Sequence, residues 1–343
     1  MLQEIEIKNF KSIKDEKFVL LPLTILTGVN SSGKSSVIQS ILLTSYCYNK
    51  NQDLEKAIKR VKNFESIKNG NEEVSISLKF CNNSFGLLCD GINNNSTWYT
   101  TSKNKLELVF DKNLFYITAN RIGQEDISEY GDDESFDIDG KYAFGYFQKY
   151  KDKTIDENIR KKDDVDNTLA WQLEYWVNYI LDLDIKLYTE DINNVNVKVG
   201  FKINKGIVST FNVGSGVSYL VKILIITLSM SENNVFIIEN PEIHLHPKAV
   251  SRLMEFFVFI ASRKRQLIIE THSEYLINKL RYEIFKGNFD QEKSIIYYKD
   301  NAFDKFKSIK INKNGKFIDI NKNIINFPNG FLDTNLPELL EMM

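Results

Sequence analysis

Cysteine and proline are scarce in this chain of 343 residues, with three of the first and five of the second. Cys47, Cys81 and Cys89 form no C-x-x-C pair, and their odd number argues against a disulfide framework and for a reducing interior. Long apolar runs are missing. The greasiest stretch, Tyr219–Met230, carries Lys222 and is too short to span a bilayer. The N-terminal residues alternate like a strand instead of forming the apolar heart of a signal peptide. Charge of one sign is also lacking: 44 basic residues face 46 acidic ones, a net charge of −2. No global basic excess advertises nucleic acid, so any such contact is local or made through a partner. No heptad persists and no fixed-period repeat occurs. The expectation is a cytoplasmic protein with no membrane partner.

What is present is core material. Apolar residues make up 43% of the chain and charged residues 26%, which excludes a disordered polymer. The length fits two domains or one elaborate α/β domain. Leu2–Lys8, Phe18–Leu21 and Leu23–Leu26 read as strands, and apolar positions Val37, Ile38, Ile41 and Leu42 put one buried stripe on a following helix. Beyond residue 50 the pattern changes. Short runs at Val74–Phe80, Phe85–Cys89 and Leu106–Phe110, separated by turns such as Asn93–Asn95, read as an antiparallel meander. An acidic loop, Glu129–Gly140, and an amphipathic helix over Thr168–Leu183, capped by Asn167 or Thr168, complete this part. Val195–Ile203 and Ile207–Phe211 form a hairpin around Lys205-Gly206. A helix Val217–Leu228, a strand Val235–Ile238, a helix from Lys248, a strand Leu267–Ile269 and a helix from Ser273 then argue a parallel sheet with crossovers. The expected division is 1–50 with 200–343 as a discontinuous core, and 51–199 as an inserted β meander plus helical region.

Four stretches carry chemistry. Gly28-Val-Asn-Ser-Ser-Gly33-Lys34-Ser35 matches G-x4-GK[ST] between a strand and a helix. Successive backbone N–H groups at a helix N-terminus make an anion nest, Lys34 adds a charge for the β- and γ-phosphates, and Ser35 offers a hydroxyl to Mg²⁺. Val235–Glu239 ends an apolar strand in a carboxylate at the sheet edge where ligands bind, and Glu239 is expected to face the metal beside Ser35. All three histidines, His244, His246 and His272, follow that strand. They and Glu242 are read either as a transition-metal site or as a shaped loop plus a γ-phosphate sensor at His272. Finally, Asn212-Val-Gly214-Ser215-Gly216 opens a helix, which makes a second anion nest or a plain tight turn.

In their order and placement, IKNFKSI (Ile7–Ile13), LTILTGVNSSGKSS, NVGSGVS, IIENPEIHLHP and ETHSEYL resemble ABC-type ATPase heads, the superfamily of SMC, RecF and OLD-like ATPases. Small bacterial AAA-labelled members share ENPE-x-HLHP, ETHSE and a tail like Phe327–Asp333, with Ala119-Asn120-Arg121 a fainter echo. The resemblance implies an α/β P-loop NTPase head with a mixed central sheet, an antiparallel β subdomain and a helical insertion. It implies ATP and Mg²⁺ as cofactors, with Gly28 to Ser36 (among them Asn30, Ser31, Ser32, Gly33 and Ser36) as the Walker A loop. Glu239 takes the Walker B metal position, His244–Pro247 the D-loop, His272 the switch histidine, and Lys11 approaches the phosphates. Gly214, Ser215 and Gly216 stand for the signature, which acts in trans across a homodimeric ATP sandwich. Gln124 is the Q-loop candidate.

Two departures follow. Asn240 stands where a catalytic Glu is usual, and an amide takes no proton from water, so a base comes from elsewhere, with Glu242 the nearest choice, or turnover is slow. Gly214 stands where a Ser often contacts the γ-phosphate. The expected function is an ATP-driven dimerising switch coupled to DNA or to a separate effector, a nuclease or toxin, in anti-phage defence or DNA repair. A nucleotide-gated scaffold with little hydrolysis and a histidine-based metal hydrolase are the alternatives.

Overall fold

A computed structural model describes residues 1–50, 58, 67–69, 73–90, 97–103, 105–132, 135–161, 166–204, 206–301 and 304–327. The Asn93–Asn95 turn, the basic cluster Lys56–Lys62, Lys205 and the tail beyond Phe327 lie wholly or largely outside them.

The chain opens with a hairpin, β1 (Leu2–Phe10) and β2 (Ile13–Val19), in which Ile5 and Ile7 alternate with less buried neighbours and a register shift between Leu2 and Glu4 precedes them. Pro22 has no N–H to extend that ladder, and β3 (Leu23–Gly28) starts a second sheet. Every residue of β3 is buried, the mark of a strand covered on both faces. Helix α1 (Lys34–Asn49) leaves it through the Gly-rich turn. Strands β4 (Val74–Phe80), β5 (Asn83–Asp90) and β6 (Thr97–Thr100) extend the first sheet, giving the antiparallel order β2-β1-β4-β5-β6.

The central sheet has seven strands in the order β16-β15-β14-β3-β13-β12-β7. It contains β7 (Leu114–Ile117), β12 (Val235–Glu239), β13 (Gln266–Glu270), β14 (Ser294–Lys299), β15 (Lys307–Ile311) and β16 (Phe317–Ile318). From β14 to β7 all neighbours are parallel, and β15 and β16 add antiparallel pairs at one edge, so the sheet is mixed. Its side chains alternate between two cores. Phe236, Ile238, Leu267 and Ile269 face one, and Val235, Ile237 and Ile268 the other. The second core is closed by α1 and the antiparallel sheet. The first is closed by α2 (Ala143–Tyr150), α3 (Leu169–Leu181), α4 (Ser215–Ser229), α5 (Pro247–Ala261) and α6 (Glu274–Phe285). A small third sheet, β8 (Ile127–Glu129), β9 (Ile185–Asp191), β10 (Asn196–Ile203) and β11 (Gly206–Val208), flanks α2 and α3. Among the described residues no helix is long and apolar enough to cross a membrane.

Three expectations need correction. Residues 51–199 are not a separable insertion: β4–β6 pair into the sheet begun by β1, and β7 pairs with β12 in the central sheet. Leu106–Phe110 is no strand. Its alternating Leu106, Leu108 and Phe110 are buried, yet apart from one bridge at Phe110 it joins no ladder. The strand is the next apolar run, Leu114–Ile117. After β11 the chain does not stay extended to Phe211 but enters a short 3-10 turn at Thr210–Asn212. The helix read over Thr168–Leu183 is α3, and Thr168 is its cap: its hydroxyl accepts from Trp171 N.

Candidate functional site

Gly28 ends β3 at φ +130°, where a Cβ would lie 2.2 Å from Lys299 O on β14. Gly33 caps α1 at φ +101°, and a Cβ there would lie 2.3 Å from Ser12 Oγ. Only glycine fits either place, so the backbone packs tightly around the turn. No side chain caps α1, and its first N–H groups and positive dipole end are left for an anion. Lys34 is 3% exposed, and its ammonium donates to Gly28 O at 3.1 Å and Val29 O at 2.8 Å. Burial lowers its pKa, which the nearby Glu270 carboxylate opposes. The hydroxyls of Ser12 and Ser32 are buried there without a hydrogen-bond partner.

These residues line one cavity of about 260 Å³, walled by Lys11, Ser12, Asn30 to Ser36, Glu270 and His272. Lys11 Nζ reaches Gln39 Oε1 along the wall. The volume is below the roughly 300–1,000 Å³ of a site that encloses a drug-sized ligand. It suits a phosphate chain whose nucleoside lies outside. The buried unpartnered hydroxyls, the glycine cradle and the lysine all fit a triphosphate with its divalent ion.

The carboxylate against Ser35 is not Glu239. Ser35 Oγ lies 3.1 and 3.3 Å from the two oxygens of Glu270, the last residue of β13. Because β13 lies between β3 and β12, Glu270 stands beside Leu26 of the P-loop strand while Glu239 stands one strand further off. Glu239 accepts instead from Tyr116 Oη at 2.9 Å, Thr118 Oγ1 at 3.2 Å and Ala119 N at 3.0 Å, all at the end of β7. Burial, together with the charges of Glu239 and Glu242, pushes Glu270 up to about 7 against the pull of Lys34 and Ser35. Sequence reading passed Glu270 over, although QLIIE repeats the very pattern, an apolar strand ending in Glu, that singled out VFIIE.

Asn240 and Glu242 follow β12. Asn240 is in the left-handed region at φ +43°, a conformation that Asn tolerates, and its N–H donates to Glu270 O at 2.7 Å. Glu242 Oε1 accepts from Thr271 Oγ1 at 2.7 Å and His272 N at 2.9 Å, which fixes the turn that carries His272. Crowding by the surrounding protein and the Lys34 charge both lower the His272 pKa, so the imidazole is neutral near pH 7.

The histidines do not converge. His246 caps α5, accepting from Lys248 N at 3.3 Å, and His244 stacks on Tyr219 with ring centroids 5.5 Å apart. Among the described residues no three His, Cys, Asp or Glu side chains gather as metal ligands, which removes the basis for a histidine hydrolase.

Gly214, Ser215 and Gly216 are elsewhere too, absent from the P-loop cavity wall. Gly214 caps α4 and is exposed, as are Phe211 and Asn212, while a Cβ on Gly216 would lie 2.3 Å from His244 O. Gln124, expected near the nucleotide, holds this turn instead through Thr210 O and Val213 O at 3.1 and 2.6 Å. Arg121, 3% exposed, joins the two regions. Its guanidinium donates to Glu239 O at 2.9 Å and Asn240 O at 3.0 Å and lies 5.1 Å from the Tyr219 ring of α4. Burial lowers it to about 10, still charged at neutral pH.

A family model described as an AAA ATPase domain matches residues 1–194. The chain belongs to that family. A second model, an AAA domain whose description names the AbiEii toxin and a type IV TA system, matches residues 111–278 of this AAA ATPase. No curated protein matches it. Among solved structures, an SMC head bound to the C-terminal winged-helix domain of ScpA is 13% identical, with TM-score 0.61 over 91% of this chain and 98% of that one. An SMC head with an extended coiled coil, bound to the C-terminal domain of ScpA from Pyrococcus furiosus, is 13% identical, with TM-score 0.58 over 99% of each chain. The fold is therefore that of SMC head domains, and the family is that of a nucleotide-binding AAA ATPase.

Proposed function

We propose that this AAA ATPase is a nucleotide-operated switch whose two heads close face to face on ATP and Mg²⁺. The observation that carries the reading is a division of labour within the chain: a P-loop cavity sized for phosphates, and a Gly-Ser-Gly helix start, exposed at Gly214 and half-buried at Ser215, that contributes nothing to its wall. A second copy brings its Ser215 turn to the open side of the first copy's cavity, and the exchange is reciprocal.

Within each site Gly28–Ser36 wrap the phosphate chain, Lys34 exchanges its bonds to Gly28 O and Val29 O for phosphate oxygens, and Lys11 closes the wall. When bound, Mg²⁺ neutralises phosphate charge during transfer to water. His272, on a turn held by Glu242, stands at the cavity edge as a hydrogen-bonding partner for the terminal phosphate. Asn240 takes no proton, so hydrolysis is slow and the closed state long-lived. Closure is passed to a partner, DNA or an effector protein, on the surface around α2, α3 and the third sheet. The SMC heads of the same fold carry ScpA in their crystal structures, which supports a protein partner. A setting in anti-phage defence or repair, inside the cell, rests on the likeness to AAA-labelled ATPases.

The test is the mass of the protein in solution, with and without ATP and Mg²⁺, beside an ATPase assay with and without DNA. A doubled mass with ATP–Mg²⁺ that Lys34→Ala abolishes is the expected result. A mass indifferent to nucleotide overturns the switch.

A further inference from the structure

Three carboxylates approach one another at the C-terminal edge of the central sheet, and their commitments differ. Glu239 takes three donors from the end of β7, and one oxygen of Glu242 takes two donors from Thr271 and His272. Glu270, 7% exposed, turns both oxygens to Ser35 Oγ and forms part of the same cavity wall as Lys34. The wall also holds Ser32 Oγ, fully buried and without a partner, a polar atom waiting for a ligand. Mg²⁺ is bound through one or two carboxylates plus substrate phosphates and water, without a full protein cage. Ser35 and a single carboxylate beside it meet that need. Neighbouring strands are about 4.8 Å apart, so a residue ending β13 is nearer the P-loop than its register partner on β12.

We propose that Glu270, and not Glu239, is the carboxylate that binds the nucleotide's Mg²⁺ together with Ser35. Glu239 then serves as a brace: it fastens β7 to β12 and lets the Glu239 carbonyl hold Arg121. The assignment rests on the nucleotide-binding reading above and deepens it.

The experiment is calorimetric titration of a non-hydrolysable ATP analogue, in EDTA and in Mg²⁺, into the wild type, Lys34→Ala, Glu270→Gln, Glu270→Asp and Glu239→Gln. Electron paramagnetic resonance of Mn²⁺ with the analogue follows the metal directly. Expected is a wild-type affinity gain on adding Mg²⁺ that shrinks at least about tenfold in Glu270→Gln. Binding in EDTA stays at least as tight in that variant, because a negative charge beside the phosphates is gone. Glu270→Asp restores part of the gain, and Glu239→Gln keeps it and leaves the Mn²⁺ spectrum unchanged. A full Mg²⁺ gain in Glu270→Gln, with binding in EDTA that still depends on Lys34, overturns the assignment alone. A gain lost in Glu239→Gln but kept in Glu270→Gln returns the metal to β12. Absence of Lys34-dependent binding in the wild type takes down the nucleotide reading and this proposal together.

Discussion

At the scale of the residue, backbone conformation accounts for identities that chemistry alone leaves odd. Asn240 follows Glu239 where the resemblance implies a Glu, and its φ of +43° supplies a reason for the amide. A left-handed residue other than Gly, Asn or Asp costs about 1–2 kcal/mol. Asn240→Glu is therefore expected to lower the thermal midpoint by that amount of stability, while Asn240→Gly does not; equal melting of the two refutes this account. Gly28 is under a harder constraint, since a methyl would meet the Lys299 carbonyl at 2.2 Å. Gly28→Ala is expected to cost about 2 kcal/mol or more in denaturant unfolding. The cysteines sort by burial. Burial pushes the Cys47 thiol up to about 11, Cys89 is buried, and Cys81 is exposed. One equivalent of maleimide at pH 7.5 should label Cys81 first, as peptide mapping will show; prompt labelling of Cys47 in the folded protein contradicts the packing of α1.

At the scale of the element, Arg121 and Asp126 join Gln124 in setting how the Gly214–Gly216 helix start is held. Arg121 ties the ends of β7 and β12 to α4 through two carbonyls and the Tyr219 ring. Arg121→Met leaves the Glu239 and Asn240 carbonyls short of their charged donor. The expected cost is about 2–3 kcal/mol, read by chemical denaturation. A change below 0.5 kcal/mol would show that the guanidinium joins nothing of consequence. Asp126 holds the turn before α4, accepting from Ser209 Oγ, Thr210 N and Thr210 Oγ1. Partial burial pulls its pKa up, and these donors outweigh it, so the net shift is downward. A depressed carboxylate stabilises the fold above its unfolded pKa of about 3.9 and loses that contribution as pH falls through the lower folded value. Asp126→Asn should thus be less stable than wild type at pH 6, with the gap closing below about pH 4. A gap that widens on acidification has the wrong sign.

At the scale of the whole molecule, the cradle and the Ser215 turn in one chain predict shared sites between two. Lys34→Ala spoils the first and Ser215→Arg the second, so each variant alone is inactive. In an equal mixture, half the dimers are mixed and each carries one intact composite site. The ATPase rate should return to roughly a quarter of wild type. A mixture no more active than its components excludes the reciprocal sandwich. Gly216 is the wrong place for this test, because a Cβ there strikes the His244 carbonyl and damages the turn itself.

Contiguity decided what the sequence alone could determine. The phosphate loop is eight residues in a row between a strand and a helix, and its chemistry is complete within them, so cradle, lysine and Ser35 are readable without a fold. The same holds for the Gly214–Gly216 helix start, the apolar strand before Glu239 and the cap at Thr168. What lay beyond reach depended on which strands become neighbours. Leu106–Phe110 and Leu114–Ile117 have equal claims by pattern, and only the free edge of β12 chose the second. Gln124 and Arg121 acquire their partners from residues about 90 and 120 positions away. Glu239 and Glu270 end near-identical apolar strands, and nothing local ranks one above the other. The insertion of β13 between β3 and β12 sets Glu270, and not Glu239, against Ser35, because parallel pairing is a long-range contact whose order the chain encodes only through the packing of both sheet faces at once.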